Sequence, residues 1–106
     1  MSISPLELKM HLIHDDVILI DVRESVEYNI EHIEGTLLLP LSLLSLSELP
    51  TTHKKIVFYC AAGIRSQKAC LKISQEDDSI EVLSLDGGIQ AWKQAGLPVT
   101  TTSYDA

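Results

Sequence analysis

The strongest constraint on the fold is an alternation of short apolar runs with segments of helical spacing. Val17-Ile18-Leu19-Ile20 and Ile56-Val57-Phe58-Tyr59 each place four apolar residues in a row. A strand with one wet face alternates polar and apolar residues, whereas an unbroken run fits a strand covered on both faces. Glu81 to Leu85 reads as a further strand. Leu37 to Leu39 reads as a short one, broken by Pro40.

Helical signals fill the intervals. Ser4-Pro5-Leu6-Glu7 offers an N-cap serine, a proline at the first helical position and a glutamate placed to close a capping box. A helix is expected from there to Asp15-Asp16, with Leu8, Leu12 and Ile13 on its apolar face. Ser25 to Ile30 suits a short helix with Val26 and Ile30 on one side, stopped by Gly35. Leu41 to Leu49 fits strand and helix equally by period; its position between Pro40 and Pro50 favours a short helix. Ser66 to Ser74 predicts a helix with Ala69, Cys70 and Ile73 inward. Gly87-Gly88 introduces a last helix through Trp92, closed by Gly96 and Pro98. The alternation predicts an α/β domain, a mainly parallel central sheet flanked by helices.

Composition excludes several roles. The chain has 106 residues, enough for one domain that can bury a core without staples. Lys and Arg total 8 against 15 Asp and Glu, a formal net charge of −7, which repels nucleic acid unless the cations are gathered. They are not. The longest apolar run, Leu37 to Leu41 with Pro40 counted, is too short to span a bilayer. No Lys- or Arg-headed apolar segment opens the chain, so the expectation is a cytoplasmic domain with its two cysteines reduced.

The chemistry is concentrated in Cys60-Ala61-Ala62-Gly63-Ile64-Arg65-Ser66, between a strand and a helix. In open α/β sheets the carboxyl end of a strand faces the ligand crevice. Small residues at 61 to 63 let backbone N–H groups turn toward the sulfur as an anion-binding nest. Those groups, the helix N-terminus and Arg65 all favour negative charge. A free thiol ionises near pH ~8.5, and such surroundings commonly bring that below ~7. A nucleophilic thiolate at Cys60 is the expectation.

Cys-x-x-Gly-x-Arg-Ser after a strand resembles the active-site loop of the rhodanese family, the thiosulfate sulfurtransferases. Further segments match in order: Asp21-Val22-Arg23; Glu31-His32-Ile33-Glu34-Gly35-Thr36 with Pro40 behind it; and Leu85-Asp86-Gly87-Gly88-Ile89-Gln90-Ala91-Trp92. Ala95-Gly96-Leu97-Pro98-Val99 is similar to the family's ending, and Thr36 stands where the family often has Ala. The resemblance implies a single three-layer rhodanese-like domain over residues 4–99 with a tail at 100–106. It implies no cofactor and no metal. Cys60 would take the outer sulfur of a small anionic donor such as thiosulfate as a persulfide, and cyanide, a thiol or a protein would accept it. The loop residues Ala61, Ala62, Gly63, Ile64 and Arg65 would bind donor and persulfide, with Asp21, Arg23 and Ser66 in support.

Two other readings stand beside this one. A persulfide carrier or partner-docking module would be loaded by a protein donor and use thiosulfate poorly. A phosphatase of the related fold uses five residues between Cys and Arg, against the four here, Ala61 to Ile64. No candidate general acid stands out either. For Arg65 two roles are open, binding the donor's anionic end or tying the loop to a carboxylate. Asp21 and Arg23 read chiefly as a structural turn and ion pair, and His32 as a turn residue whose segment approaches the crevice. Cys70 reads as a small core residue, and His11 and His14 as a solvated helix face without a third metal ligand.

Overall fold

In the computed structural model, which describes residues 1–101, the two unbroken apolar runs lie side by side at the centre of one sheet. They form β2 (Val17–Asp21) and β5 (Lys55–Tyr59), paired in parallel over five residues from Val17 opposite Lys55 to Asp21 opposite Tyr59. β6 (Val82–Leu85) flanks β5, and the two-residue β1 (Ser2–Ile3) lies outside it. β4 (Leu37–Leu38) closes the other edge, giving the all-parallel order β1-β6-β5-β2-β4. Two further short strands, β3 (Glu31–His32) and β7 (Thr100–Thr101), pair antiparallel.

Burial on both faces explains the unbroken runs. Alternate residues of β5 enter opposite cores: Val57 and Tyr59 meet Leu8, Ile89 and Trp92 on one face. Ile56, Phe58 and Cys60 meet Ala69, Cys70 and Ile73 on the other. The first face is covered by α1 (Pro5–Ile13) and α4 (Gly88–Gln94), the second by α3 (Ile64–Glu76). Each large side chain buried this way stabilises the fold by roughly 1.5–3 kcal/mol.

Helix starts and stops follow local chemistry. Ser4 caps α1 by accepting from the Glu7 N–H at 3.2 Å, while Glu7 accepts from the Ser4 N–H at 3.0 Å. That reciprocal capping box holds the Glu7 carboxyl below its usual range. The indole of Trp92 donates to the Pro98 carbonyl at 2.8 Å and fastens the segment after α4.

Several expectations are corrected. Ile13 is exposed, so α1 buries Leu8, half-buries Leu12 and leaves Ile13 in solvent. In α2 (Ser25–Ile30), Val26 and Ile30 lie on one side as expected, and that side, whose direction the spacing left open, faces out, with both about two-thirds exposed (65% and 64%). Residues 41–49 make two 3-10 turns, Leu41–Leu43 and Leu46–Glu48, in place of one helix. α3 starts two residues before Ser66 and ends two after Ser74. Thr100 and Thr101, expected to begin a tail, pair with His32 and Glu31 in β3. Residues 102–106 of that tail lie outside the described residues.

Candidate active site

The sheet changes direction between β2 and β5. The chain leaves β2 toward β4 on one side and leaves β5 through α3 toward β6 on the other. A crevice opens at the carboxyl ends of such neighbouring strands. The Val22 N–H donates to the Tyr59 carbonyl at 3.0 Å and holds the two strand ends together. Cys60 is the next residue.

The loop curls under the first turn of α3. Gly63 adopts φ +108°, a conformation that L side chains rarely adopt, and its N–H donates to the Cys60 sulfur at 3.1 Å. The Ser66 N–H donates to the same sulfur at 3.4 Å, and the Ser66 hydroxyl lies 3.5 Å from it. Burial of Cys60, 1% exposed, pushes its pKa up. The Ser66 hydroxyl and the N–H groups of Ser66, Gly63 and Ala62 outweigh that and hold it below the ordinary thiol value. Two backbone N–H groups, from Gly63 and Ser66, thus lie at hydrogen-bonding distance of the sulfur.

The opposite wall of the loop is held by α4. The Ile89 N–H donates to the Cys60 carbonyl at 2.9 Å and the Gln90 N–H to the Ala61 carbonyl at 3.2 Å. These bonds turn the loop carbonyls away from the sulfur. Gly88 makes the approach possible: its φ is +62°, and a Cβ there would overlap the carbonyl oxygens of Cys60 and Ala61.

Asp21 and Arg23 form a buried pair. Arg23 Nη2 donates to Asp21 Oδ2 at 2.8 Å, Nε to both Asp21 oxygens at 3.0 Å, and Nη2 also to the Glu31 carbonyl at 2.7 Å. Burial disfavours the charge on Arg23, but the bonds to Asp21 prevail and raise its pKa. The guanidinium also lies 5.6 Å from the centre of the Tyr59 ring. The Tyr59 hydroxyl, kept protonated by burial with its pKa pushed up to about 12, accepts from the Ile33 N–H and donates to Thr36. Thr36 thereby gains a use that an alanine could not fill.

Arg65 is paired with a carboxylate. Its Nη1 and Nη2 hold Glu27 Oε1 and Oε2 at 2.7 and 2.9 Å, across the crevice from α2. The guanidinium holds the Glu27 carboxyl down at about 2. Ile64 points outward, 68% exposed, and Ala62 is also exposed. His32 lies in the strand β3 and not in a turn; its ring stacks on Tyr28 with ring centres 3.9 Å apart and bonds the Tyr28 carbonyl. His11 binds Asp16 at 2.7 Å, and no three metal-ligating side chains cluster among the described residues. Cys70 is a buried core residue whose pKa burial pushes up to about 11.

Two site residues escaped the sequence reading. Ser84 of β6 is buried with its hydroxyl 2.7 Å from that of Ser66. A lone polar residue inside Val82-Leu83-Ser84-Leu85 was the available signal. Glu27 carried none, since a carboxylate on a short helix reads as a solvated surface.

A hydrogen-bonded thiol at the switch point of a parallel sheet, beneath the first turn of a helix, defines a three-layer α/β domain with a loop-bound cysteine. The chain belongs to the rhodanese-like domain family, whose match covers residues 4–95. It is 39% identical over 87 residues to a sulfurtransferase of Allochromatium vinosum, covering 80% of this chain and 79% of the relative. It is 42% identical over 103 residues to an uncharacterized protein of Synechocystis, covering 95% of this chain and 56% of that relative's length. A rhodanese-related protein from Thermoplasma volcanium superposes with a TM-score of 0.83 at 30% identity, covering 93% of this chain and 96% of that one. The family and the α/β architecture expected from the motifs are thus shown. No helix among the described residues is long and apolar enough to cross a membrane.

Proposed function

We propose that residues 4–99 act as a cytoplasmic sulfurtransferase, moving a sulfane sulfur from thiosulfate or a similar donor to a thiophilic acceptor through a Cys60 persulfide. The Cys60 thiolate attacks the donor's outer sulfur, the donor's S–S bond breaks, and sulfite leaves with the bonding pair. The persulfide's terminal sulfur is then attacked by cyanide, a thiol or a protein, and Cys60 returns as thiolate. The carrying observation is the pair of N–H groups, from Gly63 and Ser66, aimed at the Cys60 sulfur. They favour the anionic nucleophile and lie where charge develops during transfer. Because Cys60 is 1% exposed, the site suits a donor that presents a slim terminal sulfur. Relatives named thiosulfate sulfurtransferase, at 35% identity in Coxiella burnetii, support the choice of chemistry.

The persulfide-carrier reading draws support from one contact: Arg65 is committed to Glu27 and offers a free anion little. Intact-mass measurement after incubation with thiosulfate separates the two. A gain of one sulfur atom, lost on adding cyanide and absent in Cys60→Ser, is the expected result. Loading from a cysteine-desulfurase-type donor but not from thiosulfate would favour the carrier. Turnover of an aryl phosphate without sulfur loading would overturn both.

A further inference from the structure

Three cations surround the mouth of the Cys60 loop, and each is already paired with a carboxylate. Arg23 holds Asp21, Arg65 holds Glu27 and Lys93 holds Glu31, at 2.8, 2.7 and 2.9 Å. Arg23, Glu27, Glu31 and Lys93 line one depression of about 200 Å³ together with Ala61 of the loop. The apolar Ile30 lies in the same depression and is mostly exposed. A dianion arriving here meets balanced charge and must displace a carboxylate to reach a guanidinium.

The three pairs are not equivalent. Arg23–Asp21 is buried and built into the turn after β2, so it cannot open for a donor without breaking the fold. Lys93–Glu31 is a single contact. Glu27–Arg65 is two-armed, about one-third exposed on each side, and joins the crevice wall to the catalytic loop. A planar guanidinium gripped at both arms has little left to offer a sulfonate. The Arg65 pKa is raised chiefly by its bonds to Glu27 and further by the charge of Cys60.

Resting on the reading of Cys60 as sulfur acceptor, we propose that Glu27 selects the donor. By occupying both arms of Arg65 it withdraws the loop's cation, and the mouth then favours sulfane donors with at most one negative charge over the thiosulfate dianion. The residue acts through Arg65 and does not touch the transferred sulfur. The step is the same for either class: the thiolate takes the outer sulfur and the remainder leaves with the bonding pair.

The test pairs thiosulfate with methanethiosulfonate, in which a methyl group replaces one anionic oxygen. Both deliver an outer sulfur, leaving sulfite or methanesulfinate. Taking the ratio of their kcat/KM values cancels any general loss of activity. Glu27→Gln keeps the side chain's shape and is expected to raise the thiosulfate-to-methanethiosulfonate ratio about tenfold, the equivalent of about 1.4 kcal/mol. In an Arg65→Gln background the same substitution should leave the ratio unchanged, a dependence no general loosening of α2 would produce. Glu27→Ala, read the same way, serves if Glu27→Gln does not fold. An unchanged ratio in Glu27→Gln, or an equal rise without Arg65, overturns the proposal while sulfur transfer stands. Failure of both donors to place sulfur on Cys60 of the wild type overturns both the proposal and the function on which it rests.

Discussion

Cys60 and Cys70 are the same residue type in opposite surroundings. Both are buried, but Cys60 has N–H and O–H donors around its sulfur, whereas at Cys70 the cost of burial outweighs the charge of the N-terminus. At neutral pH, iodoacetamide is therefore expected to label Cys60 and spare Cys70 until the chain is unfolded, as peptide mapping would show. The Ser66 hydroxyl has one proton and three neighbours within reach: the Gly63 carbonyl, Ser84 and the Cys60 sulfur. When Ser84 donates to the Ser66 oxygen, the single Ser66 proton is shared between the Gly63 carbonyl and the Cys60 sulfur. Ser84→Ala should thus move the pH midpoint of Cys60 alkylation upward; an unmoved midpoint would count against the relay. Glu27 sets an acid limb. Its carboxyl is depressed to about 2, so its stabilising effect is full above the ordinary carboxylate pKa and fades as pH falls toward 2. The Tm gap between wild type and Glu27→Gln should shrink between pH 6 and pH 2.5. The amplitude should be small, at most about 1 kcal/mol, because the pair is partly exposed.

At the scale of elements, the Cys60 loop depends on α4, although most of its residues belong to the approach to α3. The first N–H groups of α4 hold the Cys60 and Ala61 carbonyls outward, and Gly88 alone permits that closeness. Gly88→Ala is expected to cost about 2 kcal/mol or more in urea unfolding, through overlap and positive-φ strain together. It should also abolish sulfur loading even in conditions where the fold survives. Stability and loading both at wild-type levels would show that the contact is dispensable. The motif Asp86-Gly87-Gly88 announced a helix start from sequence. Its service to a loop more than twenty residues earlier was not legible, because a missing Cβ has meaning only once the opposing carbonyls are in place.

The whole molecule is a sheet with two cores, and β5 feeds both. Phe58 is fully buried on the α3 face, next in sequence to Tyr59 in the core beneath α1 and α4. Phe58→Ala should cost about 3–5 kcal/mol, a large share of the roughly 5–15 kcal/mol a domain of this size possesses. Equilibrium denaturation would register this as a lower midpoint with an unchanged slope.

β2, β5 and the capping box of α1 were determined by sequence alone, because unbroken apolar runs and reciprocal cap chemistry act between near neighbours. So was the loop that carries Cys60, since small residues and a helix start belong to one continuous segment. The side on which Val26 and Ile30 fall, the two-residue strands β1, β3 and β7, and the partners of Arg65 and Ser66 were settled only by tertiary packing. A helix of six residues with two apolar side chains does not reveal which way it will face. A two-residue strand has no period to read. Ion pairs such as Glu27–Arg65 join residues 38 apart, and their geometry exists only when the sheet brings two strand ends to one crevice.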